Sequence, residues 1–151
     1  MKVKEVMTQH PVCCRPNDMA ETVAQMFRDE DIGSMPVVSD GESKRLIGII
    51  TDRDVCCRMV AAGFNPKTTS IEAFVTRDLV TCRAEQSLDS CAKLMEMYQI
   101  RRILVVDQDV RCVGIISQAD LARSEDSQKV HRAVAGISKP SHTMITAPTA
   151  A

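Results

Sequence analysis

The sequence predicts an α/β (α+β) fold of two β-α-β-β-α units, and three observations carry that prediction. The octapeptide Gly48-Ile49-Ile50-Thr51-Asp52-Arg53-Asp54-Val55 returns as Gly114-Ile115-Ile116-Ser117-Gln118-Ala119-Asp120-Leu121, so the chain is internally repeated. Val3-Lys4-Glu5-Val6-Met7-Thr8 aligns without a gap on Ile71-Glu72-Ala73-Phe74-Val75-Thr76, and Ile32 to Val38 fall on Ile100 to Val106 at the same displacement of 68 residues. Within each copy the hydrophobic period switches between strand and helix in the same order.

The elements follow in turn. Pro11-Val12-Cys13-Cys14 and Leu79-Val80-Thr81-Cys82 read as short strands. From Asn17 to Arg28, apolar residues at Met19, Ala20, Val23, Met26 and Phe27 form a helical stripe preceded by Asn and Asp as cap candidates. Its counterpart places Leu88, Cys91, Leu94, Met95 and Tyr98 on one face. Met35 to Val38 with Leu46 to Ile50, and Ile103 to Val106 with Cys112 to Ile116, are runs rich in β-branched residues that read as adjacent strands. The displacement falls to 66 after the first run, which puts two extra residues into Ser39 to Arg45, a hairpin turn containing Asp40-Gly41. A helix beginning near Asp52, and near Gln118, closes each copy. The segment Ser124-Glu125-Asp126-Ser127 is expected to cap one more helix through about Ala135, and most of Gly136 to Ala151, short of charge and with two prolines, is expected to be disordered. The division is 1–69 for the first repeat, 70–123 for the second and 124–151 for a C-terminal helix and flexible tail.

Each half lies near the size at which an independent core is marginal, so the halves are expected to pack on each other in pseudo-two-fold symmetry. A formal charge of −1 gives no global basic field for nucleic acid or an anionic membrane. The N-terminus lacks the apolar stretch of a signal peptide, and no run of about 18 apolar residues is long enough to span a bilayer. The expected location is cytoplasmic. Seven cysteines, Cys13, Cys14, Cys56, Cys57, Cys82, Cys91 and Cys112, are an odd number without C-x-x-C spacing, which favours reduced thiols over a disulfide framework or a zinc site.

Six segments in this order, duplicated in register and ending on a glycine, two isoleucines, Thr or Ser, two further residues and Asp, resemble the cystathionine β-synthase (CBS) domain. Two in tandem resemble the CBS pair called a Bateman module, over about residues 3 to 123. Thr51-Asp52-Arg53-Asp54-Val55, with Ala61-Ala62-Gly63-Phe64-Asn65-Pro66 after it, is similar to small stand-alone bacterial CBS-pair proteins, including hypoxia- and stress-associated ones.

The repeated junction suits a nucleoside. A Thr or Ser hydroxyl at a strand end can meet a ribose or phosphate oxygen, and an Asp one turn later can accept from vicinal ribose hydroxyls. Thr51 with Asp54, and Ser117 with Asp120, supply that pair, and the following helix N-terminus favours an anion. The alternative is that Thr51 and Ser117 are only helix N-caps. The resemblance implies that the residues before the central strand of the opposite repeat reach a phosphate; these are Arg101-Arg102 in one copy and Gly33-Ser34 in the other, so Thr51 and Asp54 are expected to face Arg101 and Arg102, with Arg53 adding charge. The bland reading of Arg101-Arg102 is a solvated cap with surface ion pairs.

Other chemistry is poorer. His10, His131 and His142 have no metal-ligand spacing, and no metal site is expected. No base, nucleophile and electrophile can be assembled, so the chain is not read as an enzyme. The cysteines read first as packing residues and second as a redox sensor. The resemblance implies a regulatory module that binds an adenosine-containing ligand (AMP, ADP, ATP, NAD(H) or S-adenosylmethionine) in the cleft between repeats, without a covalent cofactor, and signals to a partner protein. It also implies a homodimer, expected to form through the Met19, Val23, Met26, Phe27 and Leu88, Cys91, Leu94, Met95 stripes. A dimeric scaffold with degenerate sites is the competing reading.

Overall fold

The computed structural model describes residues 1–124 and 127–139. In chain order the regular elements are β1 (Thr8–Gln9), α1 (Ala20–Asp29), β2 (Ser34–Val38), β3 (Leu46–Thr51), a π-helix (Asp54–Val60), β4 (Thr81–Cys82), α2 (Leu88–Met97), β5 (Arg102–Val106), β6 (Cys112–Ser117), α3 (Gln118–Arg123) and α4 (Ser127–Ile137). This is the mixed α/β architecture expected, with the repeated strand pairs in the repeated places. Of the tail expected to be disordered from Gly136, Gly136 and Ile137 complete α4, and the residues from 140, His142 among them, lie outside the described residues. Among the described residues no helix is long and apolar enough to cross a membrane.

The described residues form two compact units: Val12–Leu79, called here the Thr51 unit, and Met1–Pro11 with the described residues 80–139, called the Ser117 unit. The units are therefore drawn across the sequence repeats. Each contains the strands of one repeat and the opening segment of the other.

In the Ser117 unit the sheet order is β1-β6-β5-β4. β5 and β6 are antiparallel with Arg102 opposite Ser117 and Ile103 opposite Ile116, and a bulge falls between Val105 and Val106. β1 adds on one edge, Thr8 opposite Ile115, and β4 adds in parallel on the other, Cys82 opposite Val105. The Thr51 unit repeats this in thinner form. β2 and β3 pair with Ser34 opposite Thr51 and Met35 opposite Ile50, with the bulge at the equivalent Val37 and Val38. Its edges shrink to single bridges, Cys14 with Val37 and Thr76 with Ile49, so the expected strand at Pro11 to Cys14 is reduced to one paired residue.

Helix α1 begins later than its cap candidates imply. Asp18 folds a turn instead, its Oδ2 accepting from Arg15 N at 2.8 Å, and Met19 occupies the N-cap position without a side-chain cap. The open amides of α1 are satisfied from afar: Ala20 N donates to Thr69 O at 2.9 Å and Glu21 N to Pro66 O at 3.0 Å. At the equivalent place in the other unit, Ser87 caps α2 through its hydroxyl, which accepts from Ser90 N at 3.1 Å.

Apolar stripes point inward. Ala20, Val23 and Phe27 of α1 join Met35, Val37, Ile50, Met59 and Phe74 in one core, and Leu88, Cys91 and Met95 of α2 join Val3, Ile103, Val105, Ile116 and Leu121 in the other. The expectation that these stripes form a dimer face is corrected at those positions, because burying an apolar side chain in its own core leaves nothing for a partner. Helix α4 packs on α2 and α3, and its Ile137 enters the same core.

Both hairpins place a non-glycine residue in the left-handed region, Lys44 at φ 50° and Val110 at φ 60°. For a β-branched residue this is strained, at a cost of about 1–2 kcal/mol. Val110 is exposed and makes no core contact that a change would remove. Val110→Asn is expected to stabilise the protein by roughly 0.5–1 kcal/mol, since Asn tolerates this conformation. A thermal midpoint that stays level or falls would contradict the assignment of strain to this turn.

Candidate functional site

Each strand-to-helix junction closes into a reciprocal hydrogen-bonded box. At the first, Thr51 N and Thr51 Oγ1 both donate to Asp54 Oδ2 at 2.9 Å, and Asp54 N donates back to Thr51 Oγ1 at 3.1 Å. At the second, Ser117 N donates to Asp120 Oδ2 at 2.8 Å and Ser117 Oγ at 2.6 Å, while Asp120 N donates to Ser117 Oγ at 3.2 Å. The N-cap reading of Thr51 and Ser117 is thus realised in the geometry. It coexists with a further consequence. Oδ2 of each aspartate is consumed locally, whereas among the described residues Oδ1 meets a guanidinium: Arg58 Nη1 at 3.4 Å for Asp54, and Arg123 Nη2 for Asp120. A carboxylate oxygen has two lone pairs, so Oδ1 retains accepting capacity. The hydroxyl of Thr51 or Ser117 has spent its proton on Asp and can meet a further group only as an acceptor.

The surroundings of the two boxes differ. The Asp54 and Arg58 side chains are 16% and 20% exposed, and Arg58 Nη1 also donates to Phe74 O at 2.9 Å with its guanidinium 5.9 Å from the Phe74 ring centroid. Arg123, by contrast, is 72% exposed against 12% for Asp120, so its charge is screened more by solvent. The helix carrying Asp54 is wound as a π-helix, with Ala61 N donating to Cys56 O, a form often found at functional sites. α3 is an ordinary α-helix.

The sequence-named cations fall as follows. Arg53 is exposed beside Asp54, with its backbone N donating to Asp52 Oδ1 at 2.8 Å. Arg102 opens β5 opposite Ser117, and the Arg101 carbonyl accepts from Gln118 N at 2.8 Å, so both sit at the sheet end that carries Ser117 and Asp120. At the matching places of the other unit stand buried Ser34, opposite Thr51, and Gly33, whose carbonyl accepts from Asp52 N at 3.1 Å. None of Arg53, Arg101 and Arg102 makes an ion pair among the described residues, which leaves their charge open to an anion.

Arg58 is the site residue that sequence reasoning missed. Its signal was present, since it lies four residues after Asp54 on a helix, the spacing at which an acid and a base meet. Among the described residues no group of three His, Cys, Asp or Glu side chains is arranged to hold a metal ion.

The family model described as the CBS domain matches twice, over residues 3–60 and 71–126. Hypoxic response protein 1 of Mycobacterium tuberculosis is 30% identical over 137 residues, covering 91% of this chain and 94% of the relative. The CBS domain-containing protein YhcV of Bacillus subtilis is 35% identical over 127 residues, 84% of this chain and 87% of the relative. Among solved structures, the CBS domain pair of protein MJ0100, crystallised with 5′-methylthioadenosine and S-adenosyl-L-methionine, superposes with a TM-score of 0.71 at 28% identity, covering 82% of this chain and 94% of that one. Two family matches that each end just past one of the two Thr/Ser–Asp boxes, on a chain whose strand pairs repeat to the bulge, establish that it belongs to the CBS domain family as a tandem pair.

Proposed function

We propose that this CBS pair is a non-catalytic regulatory module that binds an adenosine-containing ligand at its Thr/Ser–Asp junctions and passes occupancy to a partner protein. The observation that carries this reading is the duplicated box in which one aspartate oxygen is locked and the other keeps accepting capacity, as a ribose diol requires. The adenosine compounds held by the related CBS pair support the ligand class. Asp54 and Asp120 are the ribose acceptors, Thr51 and Ser117 orient them, and Arg53, Arg101 and Arg102 are the cations for a phosphate. S-Adenosylmethionine, the adenine mononucleotides and NAD(H) share the adenosine that this chemistry recognises. The homodimer is proposed on the family resemblance alone, with exposed Met19, Met97 and Tyr98 as apolar side chains open to it.

Titration calorimetry with AMP, ATP, S-adenosylmethionine and GTP tests the reading. An adenosine compound is expected to bind and GTP is not. Asp54→Ala is expected to weaken binding about tenfold to hundredfold, because a hydrogen bond to a charged acceptor contributes about 1.5–3 kcal/mol. Arg102→Ala is expected to weaken a phosphorylated ligand more than adenosine. Unchanged affinity in folded Asp54→Ala would remove the ribose role, and equal losses in Arg102→Ala would remove the phosphate role.

A further inference from the structure

The Ser117 unit contains a feature that the nucleotide reading does not use. Cys82 on β4 and Cys91 on α2 lie with their Sγ atoms 4.0 Å apart, both buried, at 2% and 1% exposure. All seven cysteines are thiols in this structure. The repeat shows that this pair is not demanded by packing. At the displacement of 68 residues Cys82 corresponds to Cys14, also buried, and Cys91 corresponds to Val23, a buried residue of α1. The same two fold positions are thus filled in one unit by a cysteine and a valine of one core and in the other by two cysteines.

We propose that Cys82 and Cys91 are a redox-active dithiol that closes reversibly to an intramolecular disulfide. The sulfurs need to approach by about 2 Å to reach a disulfide bond length of about 2.05 Å. The element that must yield is slight: β4 is two residues long, lies at the sheet edge and pairs with β5 only at Thr81 and Cys82. Such an edge opens locally at low cost, which also admits a small oxidant. The thiols favour the chemistry. The hydrogen bond between the two thiols holds the Cys82 thiol below its ordinary value against the opposing effect of burial, and the same bond, together with burial, pushes Cys91 up. In this scheme Cys82, carried on the edge strand that opens, is the first nucleophile.

With a hydroperoxide as oxidant the Cys82 thiolate attacks one peroxide oxygen, the O–O bond breaks, and a sulfenic acid and water form in the case of hydrogen peroxide. Cys91 sulfur then attacks the Cys82 sulfur, the S–O bond breaks, the Cys91 proton and the hydroxyl leave as a second water, and the S–S bond forms. Two thiols are oxidised by two electrons, and the peroxide is reduced by two. A small thiol reverses the reaction by exchange. The disulfide ties β4 to the helix on which α4 packs.

The full chain, treated with hydrogen peroxide, quenched with N-ethylmaleimide and digested with trypsin, tests the proposal. Cleavage after Arg77, Arg83 and Lys93 puts Cys82 in the peptide 78–83 and Cys91 in the peptide 84–93. The expected result is one pair of these peptides joined by a disulfide, separated by dithiothreitol and absent in Cys91→Val, which carries the residue that packs at this place in the other unit. Recovery of both peptides singly alkylated while exposed Cys56 oxidises would overturn the proposal. So would Cys82 joined to any cysteine other than Cys91.

Discussion

Phe74→Ala is expected to destabilise the Thr51 unit by about 3–5 kcal/mol, the usual cost of emptying a large aromatic site in a core. Phe74 is 1% exposed and sits edge-to-face on Phe64, ring centroids 5.3 Å apart at 83°. It belongs to the segment that opens the second repeat, yet it packs in the core built on the strands of the first. The Arg58 guanidinium lies by its ring and donates to its carbonyl, and the same guanidinium meets Asp54 Oδ1. Removing the ring therefore loosens the cation that steadies the proposed ribose acceptor, and ligand affinity is expected to fall along with stability. With total stability of a domain usually near 5–15 kcal/mol, the urea midpoint moves far. A loss below about 1 kcal/mol would show that the opening segment is not integral to this core.

Much of this was legible before the structure because the repeat samples the same physics twice. Gly48 with Gly114, Thr51 with Ser117 and Asp54 with Asp120 recur at one displacement, and a helix N-cap box needs just those residue types at that spacing. The strand pairs were legible for the same reason, since period and β-branching are local signals. What was illegible depends on contacts distant in sequence. Nothing local says that Ala20 and Glu21 find Thr69 and Pro66 as acceptors, so Asn17 and Asp18 read as caps although Asp18 is committed to its own turn with Arg15. An apolar stripe on α1 or α2 has the same periodicity whether it faces a core or a second chain, and only the burial of Val23, Phe27, Cys91 and Met95 settles the direction at those positions. The proximity of Cys82 and Cys91 depends on a strand laid against a helix, and nine residues of separation do not reveal it.

The two motif glycines look interchangeable in the sequence, but the structure predicts unequal costs for filling them. Gly48 faces the opening segment of the second repeat: a Cβ there would stand 2.3 Å from Val75 Cγ1 and 2.5 Å from the Thr76 carbonyl oxygen. That carbonyl accepts from Ile49 N at 3.0 Å, and Thr76 N donates to Ile49 O at 2.9 Å, so the backbone cannot recede without breaking the bridge that holds the segment to β3. Gly48→Ala combines overpacking with two unmade backbone hydrogen bonds and is expected to cost about 3 kcal/mol. At Gly114 the obstacle is different in kind. The nearest atom to an added Cβ is Met7 Sδ at 2.5 Å, near the end of a flexible side chain, and the Thr8 carbonyl oxygen stands off at 3.2 Å. Met7 can change rotamer, and alanine in a strand recovers roughly 0.5–1 kcal/mol of the entropy that glycine loses on folding. Gly114→Ala is therefore expected to lie within about 1 kcal/mol of wild type. Urea unfolding of both variants measures the contrast, and equal losses would mean that β1 is seated on β6 as rigidly as Thr76 is on β3.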